Sequence, residues 1–304
     1  VLSAARSENF VNMEKKSNNI LALIPQNNEG LPVLKEALYF QQILGTKIVV
    51  LNIIEDPPFL FQTFQTEKLN QLKDKAKQSL KDFVKNVIQE EVPNTIVPYI
   101  KTGNTVSNLI EESNTGDYDF IIIDKSKSSF TGGLLWNQID KFVSLSRCPV
   151  LTINKDFPIR EIKKIVIPID ISQSIKERLY WATLFAKKFN AKIIIASVLN
   201  ININKKDSLA YKNATKIGQL FQEQNIEYEI RILKVHNQEK HIAFLEYLEE
   251  EKPELVMIRT HQDSVFSGTN IGKFVSEVVH GCKMPVFTVN YAPDTLQSIF
   301  SLKF

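Results

Sequence analysis

Thr46-Lys-Ile-Val-Val-Leu-Asn-Ile-Ile54 and Ala191-Lys-Ile-Ile-Ile-Ala-Ser-Val-Leu199 are two versions of one apolar, β-branched run, set 145 residues apart. A second pair, Pro149-Val-Leu-Thr-Ile-Asn154 and Pro285-Val-Phe-Thr-Val-Asn290, stands 136 residues apart, so the second copy has a shorter middle section. A period of roughly 140 residues marks a duplicated domain and is too long for a solenoid repeat.

Outward from these runs, each copy alternates short apolar stretches with amphipathic ones. Ile20–Ile24, Ile48–Ile54, Ile96–Ile100, Phe120–Ile123 and Val150–Ile153 read as strands in the first copy. Leu31–Leu44, Thr66–Glu91, Thr105–Glu112 and Leu134–Leu145 carry helical spacing between them. The second copy repeats the plan with strands at Ile165–Ile169, Lys192–Leu199, Glu227–Leu233, Leu255–Ile258 and Val286–Val289. Its helices fall near Ile175–Phe189, Lys206–Gln224, Lys240–Glu250 and Ile271–Gly281. Near-continuous apolar strands alternating with helices predict an α/β protein: two tandem domains, each a five-stranded parallel sheet covered on both faces.

Composition narrows the function classes. The 304 residues suggest two domains, and 43% apolar with 23% charged residues is ordinary for a folded chain. Lys and Arg number 37 against 34 Asp and Glu, a formal charge of +3, which gives no concentrated basic face for nucleic acid. The longest apolar runs are strand-sized, so no membrane helix is expected. Two cysteines, Cys148 and Cys282, form no disulfide framework and fit a reducing, cytoplasmic setting. Val1–Asn19 lacks the apolar core of a secretory leader, and Met13 reads as a native start, with residues 1–12 as an extension. The expected layout is a flexible tail at 1–18, a domain at 19–155, a linker at 156–162, a second domain at 163–291 and a tail at 292–304.

The second copy opens on a strand and turn, Ile165-Val-Ile-Pro-Ile-Asp170, its fourth strand and the residues after it read Leu255-Val-Met-Ile-Arg-Thr-His-Gln262, and both copies close on Pro-Val strands. In order, spacing and duplication these pieces resemble the universal stress protein family in its tandem two-domain form. The resemblance covers Asn19–Asn154 and Lys163–Asn290. It implies a Rossmann-like fold of the adenine nucleotide alpha hydrolase type, two halves packed as a pseudo-dimer, and closing strands paired across the interface. It also implies a binding crevice at the carboxyl ends of the strands, where strand order reverses.

ATP-binding members of that family carry Gly-x2-Gly-x9-Gly-(Ser/Thr) at the crevice and an Asp after the first strand. Glycine lets backbone approach phosphate, and helix N-terminal amides hold its charge. Here the second copy has Arg259, Gln262, Gly272 and Lys273 at the motif positions, with the spacing intact and Asp170 present. The first copy has Asp124, Lys127 and Trp136 or Asn137, and its first strand ends in Pro25-Gln26. The resemblance therefore implies a first domain that does not bind ATP. In the second, Pro168, Asp170, Arg259, Thr260, His261, Gly268, Gly272 and Lys273 are the candidate binding residues, for ATP, another adenine nucleotide or another anion. The competing expectation is that Arg259 and Gln262 fill the crevice and leave it without ligand.

Other signals resolve to bland readings. Gly268-Thr-Asn-Ile-Gly272-Lys273-Phe274 has too few residues between its glycines for a phosphate-binding P-loop, and Phe274 stands where magnesium needs Ser or Thr. His236, His241, His261 and His280 show no metal-ligand spacing. Cys148 and Cys282 read as buried packing, and the lysines of Glu67–Lys85 as a solvated helix face. The function expected is a cytoplasmic stress-response binding or regulatory module, not an enzyme. The alternative is an ATP-binding protein with weak ATPase activity in the second domain. A homodimer and an unidentified protein partner stay open, and neither nucleic acid nor membrane is expected.

Overall fold

An apolar run with β-branched residues at successive positions has no polar face to turn to water, so each such run must lie inside a sheet covered on both sides. A computed structural model shows this arrangement; it describes residues 17–25, 30–55, 66–126, 134–169, 176–204, 208–260 and 271–289. Contacts divide the chain between Ile159 and Arg160 into two compact units.

The first unit runs β1 (Asn19–Leu23), α1 (Leu31–Leu44), β2 (Lys47–Ile54), α2 (Thr66–Ile88), β3 (Ile96–Thr102), α3 (Thr105–Thr115), β4 (Phe120–Asp124), α4 (Trp136–Leu145) and β5 (Val150–Ile153). Its strands are parallel, in the order β3-β2-β1-β4-β5. The second unit runs β6 (Lys164–Pro168), α5 (Lys176–Phe189), β7 (Lys192–Asn200), α6 (Leu209–Glu223), β8 (Tyr228–Val235), α7 (Lys240–Glu251), β9 (Leu255–Arg259), α8 (Lys273–Gly281) and β10 (Val286–Val289). Its order, β8-β7-β6-β9-β10, is the same and again parallel. The α/β class with parallel sheets is thus what the alternation predicted.

Local chemistry sets the ends of the elements. Asn104 and Ser208 accept the N–H groups of Ser107 and Tyr211 at 3.0 and 3.1 Å and so start α3 and α6. α1 has Pro32 in its first turn and stops at Gly45, whose φ of 69° suits glycine. α2 ends at Ile88, three residues short of the expected Glu91, because Gln89 turns into the left-handed region at φ 59°.

The cores differ at one telling place. In the second unit Trp181 and Phe185 of α5 pack against Phe287 of β10, tilted and edge-to-face, with ring centroids 5.3 and 5.0 Å away. The residue at the Trp181 position of α1 is Glu36, which is only 5% exposed. Burial alone pushes its carboxyl up to about 7. Elsewhere in the first unit a second buried carboxylate is well supplied: Glu112 accepts from Lys101 Nζ and Tyr118 Oη at 2.8 Å and from Tyr99 Oη at 3.3 Å.

Both cysteines are buried. Desolvation pushes the Cys148 thiol up to about 12, although the Ser146 hydroxyl lies 3.9 Å away and acts in the other direction. The thiolate is the reactive form, so iodoacetamide at pH 8 is expected to leave Cys148 unmodified in folded protein and to label it after unfolding. Labelling of the folded protein at the rate of a free thiol, read by peptide mass, would refute this.

Candidate functional site

In each unit the chain leaves the central strand in one direction and its neighbour in the other. The first half turns from β1 toward β2 and from β4 toward β5; the second turns from β6 toward β7 and from β9 toward β10. The connections therefore part at the carboxyl ends of β1 and β4, and of β6 and β9, leaving a crevice there.

Second-half residues bring several polar groups to that edge. Pro168 closes β6, and its carbonyl accepts from Arg178 Nη1 at 2.5 Å. Arg178 lies in the first turn of α5 and is buried, so a guanidinium is fixed behind the crevice. Arg259 ends β9, half-buried, and pairs in register with Val289. Thr260 follows, fully buried, with its N–H on the Val289 carbonyl at 3.3 Å.

Gly272 caps the N-terminus of α8. No side chain caps this turn, and a Cβ built on Gly272 would meet no atom within 4 Å. Among the described residues no side chain takes up the first N–H groups of α8, and a helix start of that kind can receive an anion. Beside it Lys273 Nζ meets both carboxylate oxygens of Glu239, at 2.7 and 2.9 Å. His241 Nδ1 lies 3.2 Å from the same carboxylate. The hydrogen bond to Lys273 holds Glu239 below the usual carboxylate range and raises Lys273 in turn. Lys273 therefore brings its cation to the helix start together with a carboxylate. Asp170, His261 and Gly268, also expected at this crevice, lie outside the described residues, as does Gln262.

At the equivalent edge of the first half the side chains bond to neighbouring groups of the same half. Asp124 Oδ1 accepts from Ser126 N at 2.8 Å and from Ser126 Oγ at 2.6 Å. Ser126 Oγ in turn accepts from Lys155 N at 2.9 Å. Lys125 between them is buried, with its N–H on the Ile153 carbonyl at 2.9 Å. At the start of α4, Gln138 Oε1 takes the N–H of Leu135 at 2.8 Å, and Trp136 stands exposed as the first helical residue. Where the second half has a bare glycine, the first has an indole and a capped turn. Lys127 lies outside the described residues.

Sequence reasoning missed Arg178, Glu239 and Lys125. Arg178 carried a signal, since it precedes the apolar Leu179 and Trp181 in the turn that follows β6. Glu239 carried none, because its partner Lys273 is 34 residues away and meets it only through the packing of α7 on α8. Among the described residues no group of three His, Cys, Asp or Glu side chains is placed to hold a metal, and no helix is long and apolar enough to cross a membrane.

Residues 161–290 match the model of the universal stress protein family. No curated protein matches the chain in sequence. Among solved structures, the chain is similar to a universal stress protein from Archaeoglobus fulgidus DSM 4304, at 18% identity and a TM-score of 0.67, covering 91% of this chain and 99% of that one. It is also similar to a putative universal stress protein from Pseudomonas aeruginosa UCBPP-PA14, at 17% identity and a TM-score of 0.59, covering 94% and 97%. A functionally unknown protein from Pseudomonas aeruginosa PAO1 shares the fold at 16% identity and a TM-score of 0.56, covering 93% and 95%.

Proposed function

We propose, for a chain whose residues 161–290 match the universal stress protein family model, a cytoplasmic binding or regulatory module of the stress response, with one ligand-binding half and one scaffold half. The second half binds an adenine nucleotide through its crevice, and the first half does not. The observation that carries this reading is the contrast at the two helix starts. The start of α8 is a glycine with no side-chain cap, whereas α4 starts with Trp136 and with the Leu135 N–H held by Gln138. Asp124 adds a carboxylate to the first crevice where the second has Arg259, a like charge to phosphate.

Melting the full chain with and without ATP and magnesium tests the reading. Ligand at a hundred times its dissociation constant adds about 2.7 kcal/mol, a visible shift. Asp124→Ala is expected to leave that shift unchanged, and an absence of any shift at millimolar ATP would overturn the proposal. A phosphate-release assay on the same samples separates binding from turnover.

The Lys273–Glu239 pair sharpens the expectation. Both side chains are more than half exposed, so their bond is worth little to folding. Its effect falls on the anion instead. Glu239→Ala removes a carboxylate beside the helix start and frees Lys273, and is expected to tighten ATP several-fold, with the gain fading as salt rises. An unchanged or weaker affinity in a titration at low ionic strength would rule this out.

A further inference from the structure

Inside the two quoted strand runs one position carries a different polar residue in each, Asn52 against Ser197, and the structure gives that difference a role. Leu23 of β1 pairs with Leu51 of β2, and Pro168 of β6 with Ala196 of β7. One step on, Ile24 N donates to the Leu51 carbonyl at 2.8 Å and Ile169 N to the Ala196 carbonyl at 2.7 Å. Asn52 and Ser197 therefore hold the same register position, just past the last pairing with the central strand, at the edge where each crevice opens.

Asn52 satisfies itself. It is 4% exposed, and its Nδ2 donates to the Ile24 carbonyl at 2.8 Å. Ser197 is 2% exposed and a bond shorter, and its Oγ has no hydrogen-bond partner. A buried hydroxyl in that condition is unfavourable and needs an explanation. The half that leaves it unsatisfied is also the half whose α8 starts at Gly272 without a side-chain cap.

We propose that Ser197 is a specificity-determining residue of the second crevice, hydrogen-bonding a ligand whose amino group sits where the Asn52 amide nitrogen sits in the first half. The ligand class is a planar heterocycle that presents an N–H donor next to a ring acceptor. Its amine donates to the Ile169 carbonyl, as Asn52 donates to that of Ile24, and its ring nitrogen accepts from Ser197 Oγ. The amino edge of adenine has this order. Hypoxanthine places a carbonyl where the amine belongs and turns like polarity toward Ile169. The first half needs no such ligand, because the carboxamide of Asn52 already supplies the donor. This inference rests on the nucleotide reading of the second half.

Melting of the full chain with ATP and with inosine triphosphate, at matched magnesium, tests it, since the two share sugar and phosphates. The wild type is expected to bind ATP about tenfold more tightly. Ser197→Ala weakens ATP by about tenfold and leaves inosine triphosphate nearly unchanged, so discrimination collapses. Ser197→Asn copies the first half, loses the ATP shift, and melts without ligand no lower than the wild type, which shows that it folds. Equal shifts with the two nucleotides, or a Ser197→Asn chain that binds ATP normally, would overturn the assignment of Ser197 alone. No shift with either nucleotide would overturn the nucleotide reading and this assignment together.

Discussion

Replacing Glu36 with Gln raises the melting temperature by several degrees at pH 8 and leaves it nearly unchanged near pH 4.5. The cause is a carboxyl 5% exposed on α1, pushed by burial from 4.5 to about 7. Below about pH 4.5 both folded and unfolded chains hold the proton, and Glu36 costs nothing. Between there and pH 7 the unfolded chain releases its proton first, so stability falls by about 1.4 kcal/mol per pH unit. Above pH 7 the loss is complete, at about 3 kcal/mol. Glutamine never ionises and is free of that slope. The difference between the two stability curves, measured by urea unfolding from pH 4 to 9, isolates this one group from the other carboxylates. Parallel curves would show that Glu36 is solvated in the folded protein.

The opposite result is expected at Glu112. Its carboxylate is buried and receives Lys101, Tyr99 and Tyr118. Burial and this carboxylate together hold the Tyr118 hydroxyl protonated far above its usual range. Glu112→Ala leaves two part-buried hydroxyls without their acceptor and weakens the hold on Lys101, whose side chain is 16% exposed. Lys101 keeps Glu111 at 2.8 Å, so the expected cost is about 2–4 kcal/mol, below that of an abandoned buried charge. Glu111→Ala, which removes the exposed partner, is expected to cost less than about 1 kcal/mol. Equal losses in the two variants, read from urea midpoints, would place the stabilisation on the surface pair.

The two carboxylates also show where sequence reading ends. Strands such as Lys192–Asn200 were legible because nine successive residues with almost no polar face admit a single setting, the middle of a covered sheet. The start of α8 was legible at Gly272, a glycine just ahead of an apolar run of helical spacing. Glu36 was not, because a glutamate among helical residues reads as solvated until a helix packs it inward. Comparing the copies offers the clue, as Glu36 stands where Trp181 packs against Phe287. Glu239 and Lys273 were illegible for another reason. Which helices become neighbours depends on the face of the sheet each crossover takes, and the contact of α7 with α8, marked by Phe244 on Phe274 with ring centroids 5.6 Å apart, fixes that ion pair.

The strand order has a consequence for synthesis. In the first half β1 is made first, and it needs β4 on one side and β2 on the other: Ile20 pairs with both Ile48 and Phe120. A ribosome adding about 5–20 residues per second reaches Phe120 roughly 5–20 seconds after Ile20. For that interval the nascent chain carries Ile20, Leu21 and Ala22, all completely buried when folded, beside an edge whose second neighbour is still unmade. The second half repeats the delay, since Val166 waits for Val256. Each half is therefore most vulnerable to mispairing while it is being translated, and slowing elongation between β2 and β4 lengthens that exposure.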